Sequence, residues 1–435
     1  MITKKTIYSK NFLLVAVGQI ISLFGNQILR YALPLYLLNE TGSAALFGTI
    51  LAISFVPMLV LFPIGGIIAD RVNKRNIMVF LDFSTAILIF LFYLLANKME
   101  IVPLMGMTIV ILYGIQGTYQ PTVQASVPEL VDTEYIMQGN AIVDLISSLA
   151  SMAGPVIGGI LYSVFGLTPI LYVSMACFFL AAVMELFIHM PFVQKQGEGN
   201  ILITGLNDLK ESIAFIFKEK PILWKMSLVF ASVNLFLTSL ILVGVPVIIT
   251  QHLGFDVSAG NRLYGYAQGI MASGSIIGGL LAGVFSKKLT LKVSPLILSG
   301  CALTILVSGA ALQLLVGRSI KIFFILAISC GLLLVLSTLF TIQMMTYLQM
   351  LTPKALTGKV ISCVLCLCMC SSPVGQFIYG IIFEHIGSSI YLPFYGAALI
   401  MFCISFFTRK VFYEIAQPRE LKRNDREEKK YLRSN

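Results

Sequence analysis

Gly65-Gly66-Ile67-Ile68-Ala69-Asp70-Arg71-Val72-Asn73-Lys74-Arg75 closes one long apolar run, residues 43–69, and leads into another, residues 76–96. Each run holds the roughly 20 apolar residues that a helix needs to cross a bilayer, and the polar stretch between them has room only for a turn. The pattern recurs without a gap about half a chain later, at Gly278-Gly279-Leu280-Leu281-Ala282-Gly283-Val284-Phe285-Ser286-Lys287-Lys288. Outward from these two stretches, apolar runs separated by short polar breaks cover 11–38, 101–125, 137–165, 168–190, 223–250, 262–285, 290–316, 320–350, 358–385 and 389–409. Membrane β-strands would instead alternate over about 10 residues, and no such segments occur. The chain is therefore expected to be an all-α membrane protein of twelve transmembrane helices in two six-helix bundles. Its 435 residues are 57% hydrophobic and 11% charged, against about 25% charged in soluble proteins. Disorder, a disulfide scaffold and an ordinary soluble enzyme do not fit that balance.

Basic residues set the expected orientation. Of the 30 Lys and Arg, only Lys98, Arg262, Arg318 and Lys321, with Arg30 inside a span, depart from one side. Both termini are thus expected to be cytoplasmic in a bacterial-type cell membrane. Lys4, Lys5 and Lys10 precede an apolar run that is too long for a signal peptide and lacks a small-residue cleavage site, so an uncleaved first helix is expected. The net charge of +10 is accounted for by this sidedness, and no basic folded surface points to nucleic acid. Cys363, Cys366, Cys368 and Cys370 include a CxxC spacing. They sit in an apolar run with no His nearby, where packing residues are expected rather than a metal site. The longest polar interior stretch divides the chain into residues 1–190, an N-terminal bundle; 191–222, a cytoplasmic linker; 223–409, a C-terminal bundle; and 410–435, a cytoplasmic tail.

A second internal match supports duplication: Gly159-Ile160-Leu161-Tyr162 with Gly166 corresponds to Gly380-Ile381-Ile382-Phe383 with Gly387. With these residues in view, the chain resembles the major facilitator superfamily. The GGxxADRxxxR pattern of Gly65–Arg75 is similar to that family's motif A, and Gly154-Pro155-Val156-Ile157-Gly158-Gly159 resembles the motif C of its drug-antiporter branches. Gln120-Pro121, Val127-Pro128-Glu129-Leu130 and Asn140-Ala141 resemble the macrolide-efflux and siderophore-export group. The resemblance implies a conformational gate formed by Gly66, Asp70, Arg71, Arg75, Gly154, Pro155, Gly158 and Gly159, with Asp70 latching onto helix 11 near Thr357-Gly358. The plainer alternative is that Arg71, Lys74 and Arg75 only anchor the inner surface. Pro155 removes a helical hydrogen bond, so a bend in span 5 is expected.

Ionisable groups within the bilayer are candidates for function because desolvating them is costly. Asp144 comes first as the proton-coupling carboxylate, followed by Asp82 and Glu185; the alternative is a structural network with the motif A cations. Arg30 lies about 28 Å along span 1, too far from these carboxylates to pair with them, and a carbonyl, a water or a substrate anion is its expected partner. Asn26, Arg30, Gln116, Tyr119, Gln120, Asn234, Gln268 and Gln343 are the substrate-binding candidates, since the resemblance implies that spans 1, 4, 7 and 10 line the cavity. Amides on an apolar wall suit bulky amphiphiles better than sugars or small ions. No ATP-binding, zinc or hydrolase motif occurs, so neither an enzyme nor a cofactor or metal is expected. The expected function is alternating-access export of hydrophobic or macrolide-like compounds, exchanged for protons, by a monomer in contact with membrane lipids. Export of an endogenous amphiphile such as a siderophore or lysophospholipid is a second reading, and a non-transporting sensor or scaffold a third.

Overall fold

A computed structural model describes residues 7, 9–190, 221–285, 288–352 and 357–415. Among them there is no strand, and twelve helices are long and apolar enough to cross a membrane. In chain order these are α1 (Lys10–Thr41), α2 (Ala44–Arg71), α3 (Lys74–Leu95), α4 (Ile101–Leu130), α5 (Ile136–Phe165) and α6 (Leu167–Leu186). There follow α7, a continuous run of Pro221–Val233, Asn234–Thr238, Ser239–Val247 and Ile248–His252, then α8 (Val257–Val284), α9 (Ser294–Leu314), α10 (Ser319–Leu351), α11 (Thr357–His385) and α12 (Leu392–Ile415).

Local chemistry marks the ends. The Ser9 hydroxyl accepts from the Phe12 amide at the start of α1, and Gly42, at φ 63°, lets the chain turn left-handed after its end. Ser43 and Asn73 cap α2 and α3 in the same way. α8 begins at Val257 rather than at 262 as expected, because the Asp256 carboxylate accepts from the Ala259 amide at 3.1 Å. That cap draws the polar Asn261 and Arg262 into the helix. α7 contains two π-helical turns, Asn234–Thr238 and Ile248–His252, where carbonyls lose their α-helical partners. The Phe236 carbonyl accepts from the Tyr379 hydroxyl at 3.0 Å instead. α5 is helical throughout across Pro155.

The chain divides into two compact units. The first comprises Met1–Gly197, Val243–Ala272 and Gly380–His385, and the second Glu198–Leu242, Ser273–Tyr379 and Ile386–Asn435. Within the first unit, small residues let helices touch backbone to backbone, the main route to helix association where lipid removes the hydrophobic drive. A Cβ on Gly65 of α2 would stand 2.7 Å from the Thr118 Cα of α4, and one on Gly117 of α4 2.7 Å from the Met58 carbonyl oxygen of α2. Gly154 and Gly158 of α5 pack on Gln27, Ile28 and Tyr31 of α1. Two pieces from the second half of the sequence join this unit. Gly159 of α5 meets Gly265 of α8, and Gly380 of α11 meets Ala44 and Gly48 of α2.

In the second unit, a Cβ on Gly278 of α8 would stand 2.7 Å from the Val335 carbonyl oxygen of α10. Gly65 and Gly278 are aligned residues of the repeat, so the duplicated sequence makes duplicated crossings, α2 on α4 and α8 on α10. These crossings yield a stability test. Gly117→Val is expected to cost about 1–3 kcal/mol through overpacking against backbone and to lower the thermal unfolding temperature in detergent. Gly279→Ala, with nothing within 4 Å of the added carbon, is expected to leave that temperature unchanged or slightly raised.

Candidate functional site

Gln19, Ser22, Asn26 and Arg30 recur at three- and four-residue steps along α1 and so share one face of it. Tyr113, Gln116, Tyr119 and Gln120 do the same on α4. The two polar faces meet inside the first unit. The Gln19 Nε2 donates to the Tyr119 hydroxyl at 3.0 Å, and that hydroxyl donates to Glu185 Oε1 of α6 at 3.0 Å. The Ser22 hydroxyl donates to Asp82 Oδ1 of α3, also at 3.0 Å. Asp82 is 2% exposed and Glu185 1%. Among the described residues neither forms an ion pair, and Asp82 Oδ2, Glu185 Oε2 and Gln19 Oε1 have no hydrogen-bond partner. A small cavity touches this cluster, lined by Ser22, Asn26, Asp82, Gln116, Tyr119 and Gln120 among others. Two buried carboxylates with free oxygens beside a polar cavity can take up and release protons without disturbing a salt bridge.

The three candidate carboxylates lie in different surroundings. Asp144 was expected to lead, on the strength of its place on the motif C helix; its side chain is exposed on α5 and has no partner in common with the buried cluster. Glu185, the last choice, is at the centre. Of the motif A cations, Lys74 and Arg75 do not neutralise the cluster. The Arg75 Nε donates to the Glu185 backbone carbonyl at 3.3 Å and its Nη2 to that of Leu186, while Lys74 pairs with Glu129 at 2.5 Å. Arg75 thus holds the end of α6 by its backbone and leaves the Glu185 carboxylate uncompensated. The side chains of Gly66, Asp70 and Arg71, and of Thr357 and Gly358, lie outside the described residues. Gln19 and Ser22 did not figure among the sequence candidates, although their three- and four-residue spacing to Asn26 and Arg30 carried the signal.

Farther along the same faces, the Arg30 guanidinium lies 4.2 Å from the centre of the Tyr113 ring, and its Nη1 donates to the Gln116 side-chain carbonyl. Tyr113 in turn meets Phe55 edge-on, with ring centres 5.4 Å apart. The other candidates serve local packing. Gln268 donates to the Tyr264 hydroxyl at 2.5 Å, and Asn234 donates to the Phe230 carbonyl at 3.1 Å. Gln343 is buried, accepting from the Ser294 hydroxyl at 2.8 Å and donating to the Thr290 carbonyl at 2.5 Å. Between the glycine contacts of α5 and α8, the Tyr31 hydroxyl donates to the Asn261 carbonyl, and the Asn39 amide to Asn261 Oδ1 at 2.9 Å. The Tyr31 and Tyr264 rings stack at 5.2 Å.

Comparison with known proteins agrees with the fold. The model of the Major Facilitator Superfamily matches residues 15–370. Macrolide efflux protein A of Streptococcus pyogenes is 24% identical over 399 residues, covering 90% of this chain and 94% of that protein. The uncharacterized MFS-type transporter YfiS of Bacillus subtilis is 23% identical over 400 residues, 90% of this chain and 91% of that one. Among solved structures, nucleoside transporter NupG superposes with a TM-score of 0.68 at 14% identity, covering 93% of this chain and 99% of that chain. The D-xylose–proton symporter gives 0.66 at 13%, covering 89% and 96%. With twelve membrane-crossing helices, a duplicated crossing pattern and a family match over most of its length, this multi-pass membrane chain belongs to the Major Facilitator Superfamily of transporters.

Proposed function

We propose that this transporter exports bulky amphiphilic compounds by alternating access in exchange for protons, with Asp82 and Glu185 as the proton site and Tyr119 as their link. The observation that carries the reading is the pair of fully buried carboxylates on α3 and α6, each with one oxygen unpartnered and no ion pair among the described residues. The groups facing them are Gln19 and Ser22 of α1, Tyr119 of α4 and the Arg75 guanidinium, which is spent on backbone carbonyls. An ionised carboxylate there has no counter-charge, and burying one is costly. The pair therefore holds protons while enclosed and releases them when a change of conformation brings water to the cavity. Relatives that bear the name macrolide efflux protein A support a bulky amphiphile as cargo, as does the mixed amide and aromatic lining. The word efflux in the name of those relatives supports outward movement.

In proteoliposomes with an imposed pH gradient, Asp82→Asn and Glu185→Gln are each expected to reduce gradient-driven erythromycin movement at least tenfold. Asp144→Asn should stay within about twofold of wild type. Wild-type exchange in both buried-site variants would remove the proton site from this pair.

Alternation also requires the seam of α8 with α1 and α5 to part. In a cysteine-free background, Asn39→Cys combined with Asn261→Cys and bridged by a short thiol cross-linker is expected to stop transport, and reductant to restore it. Transport that continues with the bridge formed would show that the seam stays closed throughout the cycle.

A further inference from the structure

The cation on the α1 face is as uncompensated as the carboxylates. Arg30 lies within the Lys10–Thr41 span, half-buried, and among the described residues its polar contacts are one neutral amide and one aromatic face. No carboxylate of the described residues is within ion-pair distance of it. A cation–π contact and an amide carbonyl both draw on the positive charge without cancelling it, and a full charge inside a bilayer ordinarily has a counter-ion or a way to reach water. A guanidinium presents five donors in a planar fork that matches a carboxylate two bonds at a time. The amide it now holds belongs to Gln116, which also lines the cavity beside Asn26 and Gln120. Tyr113 and Phe55 form an aromatic wall next to the charge.

We propose that Arg30 is the anchor for a carboxylate on the transported compound, which displaces the Gln116 carbonyl and lays its apolar body along Tyr113 and Phe55. Arg30 thus selects, among the bulky amphiphiles of the export reading, those with an acidic head, and a basic amphiphile such as a macrolide must seat away from it because of like charge. The proposal rests on the export reading for the direction of movement only; binding at Arg30 needs no proton gradient. A membrane lipid offers similar anionic chemistry in its headgroup, so the test must separate the two.

Wild type, Arg30→Gln and Arg30→Lys are placed in phosphatidylcholine nanodiscs, with empty discs subtracted. Binding is measured for fusidate, for its uncharged methyl ester and for cholate, with and without 30% phosphatidylglycerol. We expect fusidate to bind wild type at least tenfold more tightly than the ester. That preference should fall below twofold in Arg30→Gln, survive in part in Arg30→Lys and persist when phosphatidylglycerol is added. Equal affinities for fusidate and ester in wild type, an unchanged preference in Arg30→Gln, or no binding of either acid would each overturn the assignment. So would a preference that disappears with phosphatidylglycerol, since the site would then belong to a lipid headgroup. The wild-type comparison of acid and ester does not depend on any variant folding. Because no gradient is applied, a failure here is distinguishable from failure of the proton reading.

Discussion

Charge has no cheap place inside a bilayer, and most of this molecule follows from that constraint. It forces the backbone into helices that satisfy their own hydrogen bonds, and it leaves very few ionisable residues along the twelve spans. The few that remain are arranged by helix periodicity rather than scattered. Steps of three and four residues on α1 put Gln19, Ser22, Asn26 and Arg30 on one line, and α4 answers with Tyr113, Gln116, Tyr119 and Gln120. The result is one polar seam in an apolar bundle, with buried carboxylates toward one end and a guanidinium toward the other. Both ends lack a counter-ion, and each is stabilised by neutral donors, acceptors or an aromatic ring. A bundle built only for stability would have used apolar residues there.

Charge that is paired does mechanical work instead. Arg75 and Lys74, at the start of α3, bind the end of α6 through its carbonyls and the end of α4 through Glu129. These contacts tie three helix ends together while leaving the Glu185 side chain free to act. The glycine crossings of the first unit complete the scaffold: α2 on α4 and α5 on α1 approach closely enough for backbone to meet backbone or side-chain stem. The polar seam is therefore set in a rigid frame on several sides.

Much of the fold was legible in the sequence, because span length and basic sidedness are properties of single segments. The repeat was legible too, since Gly65 and Gly278 keep both their spacing and their packing role. Where a boundary differed, at α8, the cause was one capping carboxylate, Asp256, that averaged hydropathy does not register. The site was only partly legible. Asn26, Gln116, Tyr119 and Gln120 do meet around one cavity, but Asp144 was preferred because of the motif on its own helix, and sequence says little about which way a helix faces lipid. Pairing Asp82 with Glu185 needed the packing of α3 against α6. Gln19 and Ser22 were overlooked because neutral residues near a helix end attract less notice than charges, although their spacing to Arg30 marked them. Gln343 illustrates the converse: a polar residue on an expected lining helix can be fully occupied by its neighbours.

The contact of Gly159 with Gly265 has a consequence for tempo. Side chains that interlock must change rotamer, or be pulled past one another, before two helices can separate. Here backbone meets backbone at the two glycines, with the Tyr31 hydroxyl beside Gly159 and the Val156 side chain seated on Gly269 one turn along. α8 is held there by a short set of directional bonds, from Tyr31 and Asn39 of α1 to Asn261 and from Ser258 to the Ser163 carbonyl of α5, and by one pair of stacked rings. Such a surface has little packing to re-sort, so parting it asks mainly that these few directional bonds be broken.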